Sequence, residues 1–324
     1  MTSGETENRI PLLVIAGPTA SGKTALSVEL AKRYGGEIIS ADSMQIYKGL
    51  NIATAKPDEE EKQGIPHHLM DFLEPDVSFS VADYVALAGK VIRDVYSRGK
   101  LPIVCGGTGL YISSLVDNII FDDTGNDPEI RARLEAQAKA EGNHALWLKL
   151  REVDPETAEK VHENNLPRVI RGIEVFEMTG IPLSQHKINS RREKSPYDTC
   201  IIGLTAGDRQ YLYDRINKRV DIMVAQGMAE ECRAVYETGG LATACQAIGY
   251  KELIPYFENQ CSLEDCIEKI KQETRHYAKR QLTWFRRVDG ICWVETDKFD
   301  DLKNICENVQ NIVAKSKIMC YNII

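Results

Sequence analysis

Pro11-Leu-Leu-Val-Ile-Ala-Gly-Pro-Thr-Ala-Ser-Gly-Lys-Thr24 is the stretch that decides the fold of this chain. An apolar run ends at Ala16, and Gly17, Pro18, Thr19, Ala20, Ser21, Gly22, Lys23 and Thr24 follow in the phosphate-loop spacing. At ordinary residue frequencies that spacing arises in about one chain of this length in a hundred, so the context matters. Here a strand-like run precedes the loop and a good helix former follows it. Glycines let the backbone curl until several N–H groups face one anion, at the positive end of the next helix. Lys23 adds a point charge, and Thr24 offers a hydroxyl to Mg²⁺, which would bridge phosphate oxygens. The eight residues from Gly17 to Thr24 are therefore expected to bind phosphate or pyrophosphate, with Mg²⁺ as cofactor. Kinases, NTPases and pyrophosphate users share this loop, so it does not choose the reaction.

Outward from the loop, short apolar runs alternate with helical patterns. Candidate strands are Pro11 to Ala16, Glu37 to Ala41 and Leu101 to Cys105. This alternation reads as an α/β fold, a P-loop NTPase-like parallel sheet flanked by helices. After Tyr111 the acidic, turn-rich DDTGNDPE opens a region of helical signals, expected to form an inserted all-helical subdomain. Asp127 and Asp154 each precede a proline and read as N-caps, and Gly180 closes the helix carrying Arg168, Arg171 and Phe176. The basic linker KINSRREKSPYDT leads back to a strand-like CIIGL from Cys200. Helices are expected over Arg209 to Gln226, over Met228 to Tyr236, and from Ser262 with Asp265 as its capping partner. A strand over Ile291 to Glu295 and a helix over Phe299 to Lys315 complete the reading. The expected division is 1–118 for the first part of the core, 119–199 for the helical insertion and 200–324 for the rest of the core.

The composition, 43% hydrophobic and 27% charged over 324 residues, suits globular domains with proper cores. Neither the polar start nor any later run supplies a signal peptide or a membrane span, which points to a cytoplasmic protein with no membrane partner. Nine cysteines without CxxC spacing read as free thiols, and neither they nor the six histidines cluster as zinc ligands. A net charge of -8 argues against nucleic acid on its own. However, acid is concentrated in segments such as Asp58 to Glu61, whereas Lys269 to Arg287 is basic and interleaved with aromatics.

Asp42 and Ser43 lie just past the second candidate strand, and Gly106, Gly107 and Thr108 just past the third, at the sheet edge where open α/β folds build their sites. From position alone Asp42 is equally a helix cap, a ligand to Mg²⁺ through water, or a catalytic base. Arg215 and Arg219, one turn apart on one helix face, could reach the phosphate compound or form surface ion pairs. His67 and His68, adjacent after a proline, read as local packing and are left out of the site.

GPTASGKT, ADSMQIYKGLNIATAKP, IPHHLMD, CGGTGLY, DPEIRARLE, RVIRGIEVF, QAIGYKE and YAKRQLTWFRR stand in this order between Pro11 and Arg287. In sequence and spacing they resemble the bacterial tRNA dimethylallyltransferases. The resemblance implies that the loop holds the pyrophosphate of dimethylallyl diphosphate. It also implies that the acceptor is N6 of the adenosine 3′ of the anticodon in a tRNA anticodon stem-loop. Asp42 would be the general base, with Lys23 and Thr108 also in the catalytic group; Arg215 and Arg219, from their place on one helix face, are the candidates to complete the pyrophosphate site. Asp42, Ser43, Met44, Gln45 and Thr108 would meet the target base. Further tRNA contacts would come from Arg131, from Pro167, Arg168, Val169, Ile170 and Arg171, from Ala247, Ile248, Gly249, Tyr250, Lys251 and Glu252, and from Arg275 and Arg280. Pro167 replaces the glutamine that opens the family's QRLSR-like segment, removing that side chain's hydrogen bonds. No obligate protein partner is evident.

Elementary chemistry agrees with this reading. An adenine amine is a poor nucleophile, and removing its proton as the C–N bond forms should help by roughly 10² to 10⁴. Burying a five-carbon tail contributes about 4 kcal/mol at ~0.8 kcal/mol per carbon, so an apolar pocket is required nearby. The alternatives are a P-loop small-molecule kinase, an adenylate isopentenyltransferase acting on free AMP, and a nucleotide-dependent RNA-binding module without catalysis.

Overall fold

The computed structural model describes residues 9–121, 125–191, 193–237 and 247–321. Part of the DDTGNDPE loop, Cys245 and both chain ends lie outside the described residues. The chain divides into two compact units, one formed by Met1–Val116 and Ser195–Ile324, the other by Asp117–Lys194.

In the first unit six parallel strands form one sheet. They are β1 (Ile10–Ala16), β2 (Gly36–Ser40), β3 (His67–His68), β4 (Leu101–Gly106), β5 (Tyr197–Thr205) and β6 (Ile291–Glu295), in the order β3-β2-β4-β1-β5-β6. β1 reads as a continuous apolar run because both its faces are covered. Leu13 and Ile15 enter a core beneath helix α1 (Lys23–Tyr34), with Leu26 and Leu30. Leu12, Val14 and Ala16 enter the opposite core with Tyr84, Ala88 and Ile92 of the helix Val81–Ser97. Both neighbours of β1 run beside it for most of its length, pairing Leu13 with Ile103 on one side and with Cys200 on the other. The phosphate loop therefore leaves the centre of the sheet, at its carboxyl edge.

The elements differ from the sequence expectation in several places. The fifth strand begins at Tyr197, inside the polar linker, because the chain already pairs Tyr197 with Ile10 and Asp198 with Pro11. β3 was not expected: it has two residues, and it pairs His67 with Ile38 and His68 with Ile39. Such a short edge strand offers no periodicity to read. The last helix starts at Leu302, capped by the Asp301 side chain, after a 3₁₀ turn at Thr296–Lys298.

The second unit is helical, with Asp127 and Asp154 capping Pro128–Glu141 and Pro155–Lys160. Its core gathers Leu134, Leu146, Leu150, Val169 and Ile173. The helix Leu166–Thr179 closes at Gly180 with φ of 70°.

Candidate active site

The loop between β1 and α1 owes its path to three residues with positive φ. Gly17 has φ of 147°, and a Cβ there would lie 2.6 Å from the Leu204 carbonyl of β5, so only glycine passes. Gly22, φ 93°, starts α1. Ala20 holds φ of 61°, a region that costs a non-glycine residue roughly 1 kcal/mol. Its carbonyl accepts a hydrogen bond from Arg215 Nε at 2.8 Å, which helps hold it there. Lys23 Nζ donates to the Pro18 carbonyl at 2.7 Å. Burial lowers the Lys23 pKa to about 8, the Arg219 guanidinium pushes the same way, and Cys105 and Asp42 oppose them. Ser21 Oγ is buried without a hydrogen-bond partner among the described residues.

Opposite the loop, Asp42 Oδ1 accepts from the Met44 and Gln45 N–H groups at 2.9 and 3.3 Å, a turn closed by the carboxylate itself. Asp42 is thus both a local cap and a carboxylate whose Oδ2 has no hydrogen bond among the described residues. Thr108 Oγ1 accepts from Ser43 N–H at 3.0 Å, and Thr108 N–H donates to the Ala41 carbonyl at 3.1 Å. Gly106 lets the third loop lie this close, since a Cβ there would be 2.2 Å from the Ala41 carbonyl oxygen.

Both halves line one cavity of about 370 Å³ within the first unit. Lys23, Thr24, Asp42, Ser43, Arg219 and Arg280 supply polar groups to its lining. An apolar wall is built from Met44, Ala53, Val220, Met223, Ile248 and Ile270, which pack in one hydrophobic cluster. The loop carrying Ala53 is held by Glu231 on the helix Met228–Glu237. Its carboxylate accepts from the N–H groups of Asn51, Ile52 and Ala53 at 2.9 to 3.0 Å.

Arg215 and Arg219, on the helix Arg209–Ala225, both reach this site and make no ion pair among the described residues. Arg219 is also lowered in pKa by burial and donates to the Ala55 carbonyl at 3.4 Å. In the segment 247–252, Ala247, Ile248 and Lys251 line the cavity. Gly249, Tyr250 and Glu252 support it from behind: Glu252 accepts from Gly249 N–H at 2.8 Å and the Tyr250 hydroxyl donates to Glu231 at 3.2 Å. On the long helix Leu263–Phe285, Tyr277, Arg280 and Gln281 line the cavity, whereas Arg275 donates to Asn217 at 2.7 Å outside it. Two of that helix's aromatics are packing residues. Phe285 is fully buried, and the Trp284 ring lies over Gly109 while its Nε1 donates to Ser113.

In the helical unit, Arg131 and Arg171 converge on Glu174, which is 0% exposed, at 2.8 Å each. Pro167 and Arg168 are exposed, but Val169 and Ile170 point into the core. The side chains of these last two residues are therefore inaccessible to RNA, since a helix entering a core must bury one face.

The sequence reading passed over two residues. His67 lines the cavity; its Nδ1 bonds the Ile65 carbonyl at 2.8 Å while its Nε2 is buried without a partner among the described residues. Burial lowers its pKa, so the ring is neutral and presents an acceptor. His68 faces instead the buried Glu37, bonded at 2.7 Å. Gln281 is the second, its amide bonded to Thr19 N–H and to the Gly107 carbonyl.

An "IPP transferase" family model matches residues 45–288, and an "Isopentenyl transferase" model matches residues 10–73. A tRNA dimethylallyltransferase of Acetivibrio thermocellus is 52% identical over 305 residues, 94% of this chain and 97% of that protein. The crystal structure of the full-length tRNA isopentenylpyrophosphate transferase of Bacillus halodurans superposes with a TM-score of 0.70 at 43% identity, covering 94% of this chain and 95% of that one. A eukaryotic dimethylallyltransferase, described as acting on tRNA, superposes with a TM-score of 0.79 at 30% identity, over 94% of this chain and 77% of that one. With a family model spanning most of its length and a relative sharing half its residues nearly end to end, this chain belongs to the IPP transferase family.

Proposed function

We infer that this chain transfers a dimethylallyl group from dimethylallyl diphosphate to N6 of the adenosine 3′ of the anticodon in tRNA, releasing pyrophosphate. The observation that carries the reading is the single cavity in which Lys23, the unpartnered Oδ2 of Asp42 and an apolar wall meet. Such a wall suits a five-carbon tail and has no evident use to a phosphoryl-transfer enzyme.

In this reading the loop N–H groups, Lys23, Ser21 Oγ, Arg215 and Arg219 hold the pyrophosphate. Val220, Met223 and Ile270 receive the tail. Thr24 fits a magnesium ion as a single hydroxyl ligand. Among the described residues no three His, Cys, Asp or Glu are placed to hold a metal. An ion here would take its other ligands from phosphate and water, the coordination Mg²⁺ favours. When bound, it neutralises charge on the phosphate oxygens.

The nitrogen lone pair forms the bond to C1 of the prenyl group, the C1–O bond breaks, and its electron pair leaves with the pyrophosphate. The N6 proton passes to Asp42 Oδ2. Negative charge grows on the pyrophosphate as the bond breaks, so donors fixed around it stabilise the transition state more than the ground state. Ser43, Met44, Gln45 and Thr108 edge the place of the base, which must leave its stack to enter. Arg131, Arg168, Arg171, Lys251, Arg275 and Arg280 are offered as contacts to the tRNA. No helix among the described residues is long and apolar enough to cross a membrane. A tRNA substrate supports a cytoplasmic reading of the enzyme.

The test is mass analysis of nucleosides after incubation with Mg²⁺, dimethylallyl diphosphate and unmodified tRNA, with AMP and ATP as competitors. A prenyl mass gain on the adenosine beside the anticodon is expected. A gain on AMP instead moves the chain to the adenylate branch, and phosphoryl transfer from ATP without any gain overturns prenyl transfer altogether.

A further inference from the structure

The side chain of Gln281 joins the two halves of the site. It is 5% exposed, and its amide is used at both ends. Oε1 accepts from Thr19 N–H in the phosphate loop at 2.9 Å, and Nε2 donates to the Gly107 carbonyl at 3.0 Å. Gly107 directly precedes Thr108, whose hydroxyl holds Ser43 beside Asp42. The fit is close: a Cβ at Gly107 would lie 2.2 Å from Nε2. A neutral amide carries a donor and an acceptor on one planar group, and asparagine would be one methylene short of the same span.

Beyond the β1–β4 ladder, which pairs Ala16 with Gly106, no side-chain hydrogen bond runs directly between residues 17–24 and residues 42–43 or 106–108 among the described residues. Past the end of that ladder, the amide is the side-chain tie between the loop that holds the leaving group and the loops that hold the acceptor. Thr19 N–H, turned toward Gln281, is also withdrawn from the anion-binding set, which leaves later N–H groups of the loop to meet the pyrophosphate.

We propose that Gln281 is a positioning residue that sets the spacing between the pyrophosphate-binding loop and the Asp42–Thr108 side of the site. The proposal rests on the prenyl-transfer reading. Reacting atoms must approach to roughly 3–3.5 Å, and a misplacement of about 1 Å can cost 10²-fold in rate. Each half binds its own substrate without the bridge, so losing the bridge should lower turnover far more than it weakens either substrate's binding.

A double-mutant cycle tests this with purified full-length protein, comparing wild type, Gln281→Ala, Gly107→Ala and the double variant. The measurements are kcat, KM for dimethylallyl diphosphate and for tRNA, pyrophosphate affinity and melting temperature. Gln281→Ala is expected to lower kcat by about tenfold or more while both KM values stay within roughly threefold. Gly107→Ala is expected to do the same, because its methyl group displaces the amide. With the amide already gone the methyl has room, so the double variant should be no worse than the poorer single one. Gln281→Glu, of the same shape, keeps the acceptor for Thr19 and loses the donor to Gly107. It should show the same kcat loss, and it serves if the alanine variant folds poorly. Losses that multiply in the double variant overturn the proposal, as does a Gln281→Glu enzyme with kcat within twofold of wild type, or a loss confined to KM. A wild-type protein that transfers no prenyl group sinks the prenyl-transfer reading itself, and only that result does.

Discussion

Asp42 lines the cavity, closes the turn to Met44 and Gln45 with Oδ1, and has no hydrogen bond at Oδ2 among the described residues. Asparagine retains an oxygen for the turn but cannot accept the amine proton, so Asp42→Asn should lower kcat by roughly 10² to 10⁴ with pyrophosphate binding intact. Single-turnover rates alongside pyrophosphate titration separate the two effects; an unchanged chemical step removes Asp42 from the base role. Lys23 makes a prediction in pH. Its pKa of about 8 lies below the 10.5 of an ordinary lysine, so raising pH through 8 removes the cation from the folded protein. Pyrophosphate affinity should therefore fall as pH rises from 7 to 9. Calorimetric titration should show this limb flattened in Lys23→Met. In the same group the unfolded chain binds more protons between about 8 and 10.5, so Lys23 makes the folded state relatively more stable as pH rises through that window. Both residues were legible because loop spacing and strand ends announce them. Gln281 and His67 were not: a glutamine inside a basic helix and a histidine on a two-residue strand become site residues only through partners far away in sequence.

At the scale of elements, the helical unit is tied by the Arg131–Glu174–Arg171 cluster, whose arginines the sequence offered to RNA. Burial opposes the Glu174 charge, but hydrogen bonds from Arg131, Arg171 and the Asp127 N–H outweigh it, and its pKa is lowered. The stability it contributes is present above the ordinary glutamate range and is lost as pH falls through the depressed value. Glu174→Gln removes the buried carboxylate on which the two guanidinium groups converge and should destabilise the unit by about 3 kcal/mol, read by denaturant unfolding. A loss under 1 kcal/mol would show the cluster to be solvent-compensated. Helix starts in this unit were legible, since Asp-Pro pairs state their caps locally. The partner of an arginine was not, because Arg131 and Glu174 belong to different helices and charge alone does not distinguish a tie from a contact to phosphate.

For the whole molecule, a net charge of -8 coexists with Lys251, Arg280, Arg286 and Arg287 exposed on one unit. Binding of tRNA through such groups releases counterions, so KM for tRNA should rise steeply between 50 and 200 mM salt, by roughly 10-fold or more for a few phosphate contacts. A KM that ignores salt would move the contact elsewhere. The parallel sheet and the helical insertion were legible from alternation of apolar runs. The strand order was not, since pairing of β1 with β5 depends on packing across the whole chain.

That pairing has a consequence for biogenesis. β1 emerges from the ribosome before both of its sheet neighbours, and one of them, Tyr197–Thr205, follows only after the entire helical unit, with the long helix that supplies Gln281 later still. Until then the most apolar strand of the protein has an unpaired edge, a known template for aggregation. Nascent chains halted before residue 197 should bind chaperones and resist proteolysis poorly, and the phosphate loop should mature only once the helix carrying Gln281 has emerged.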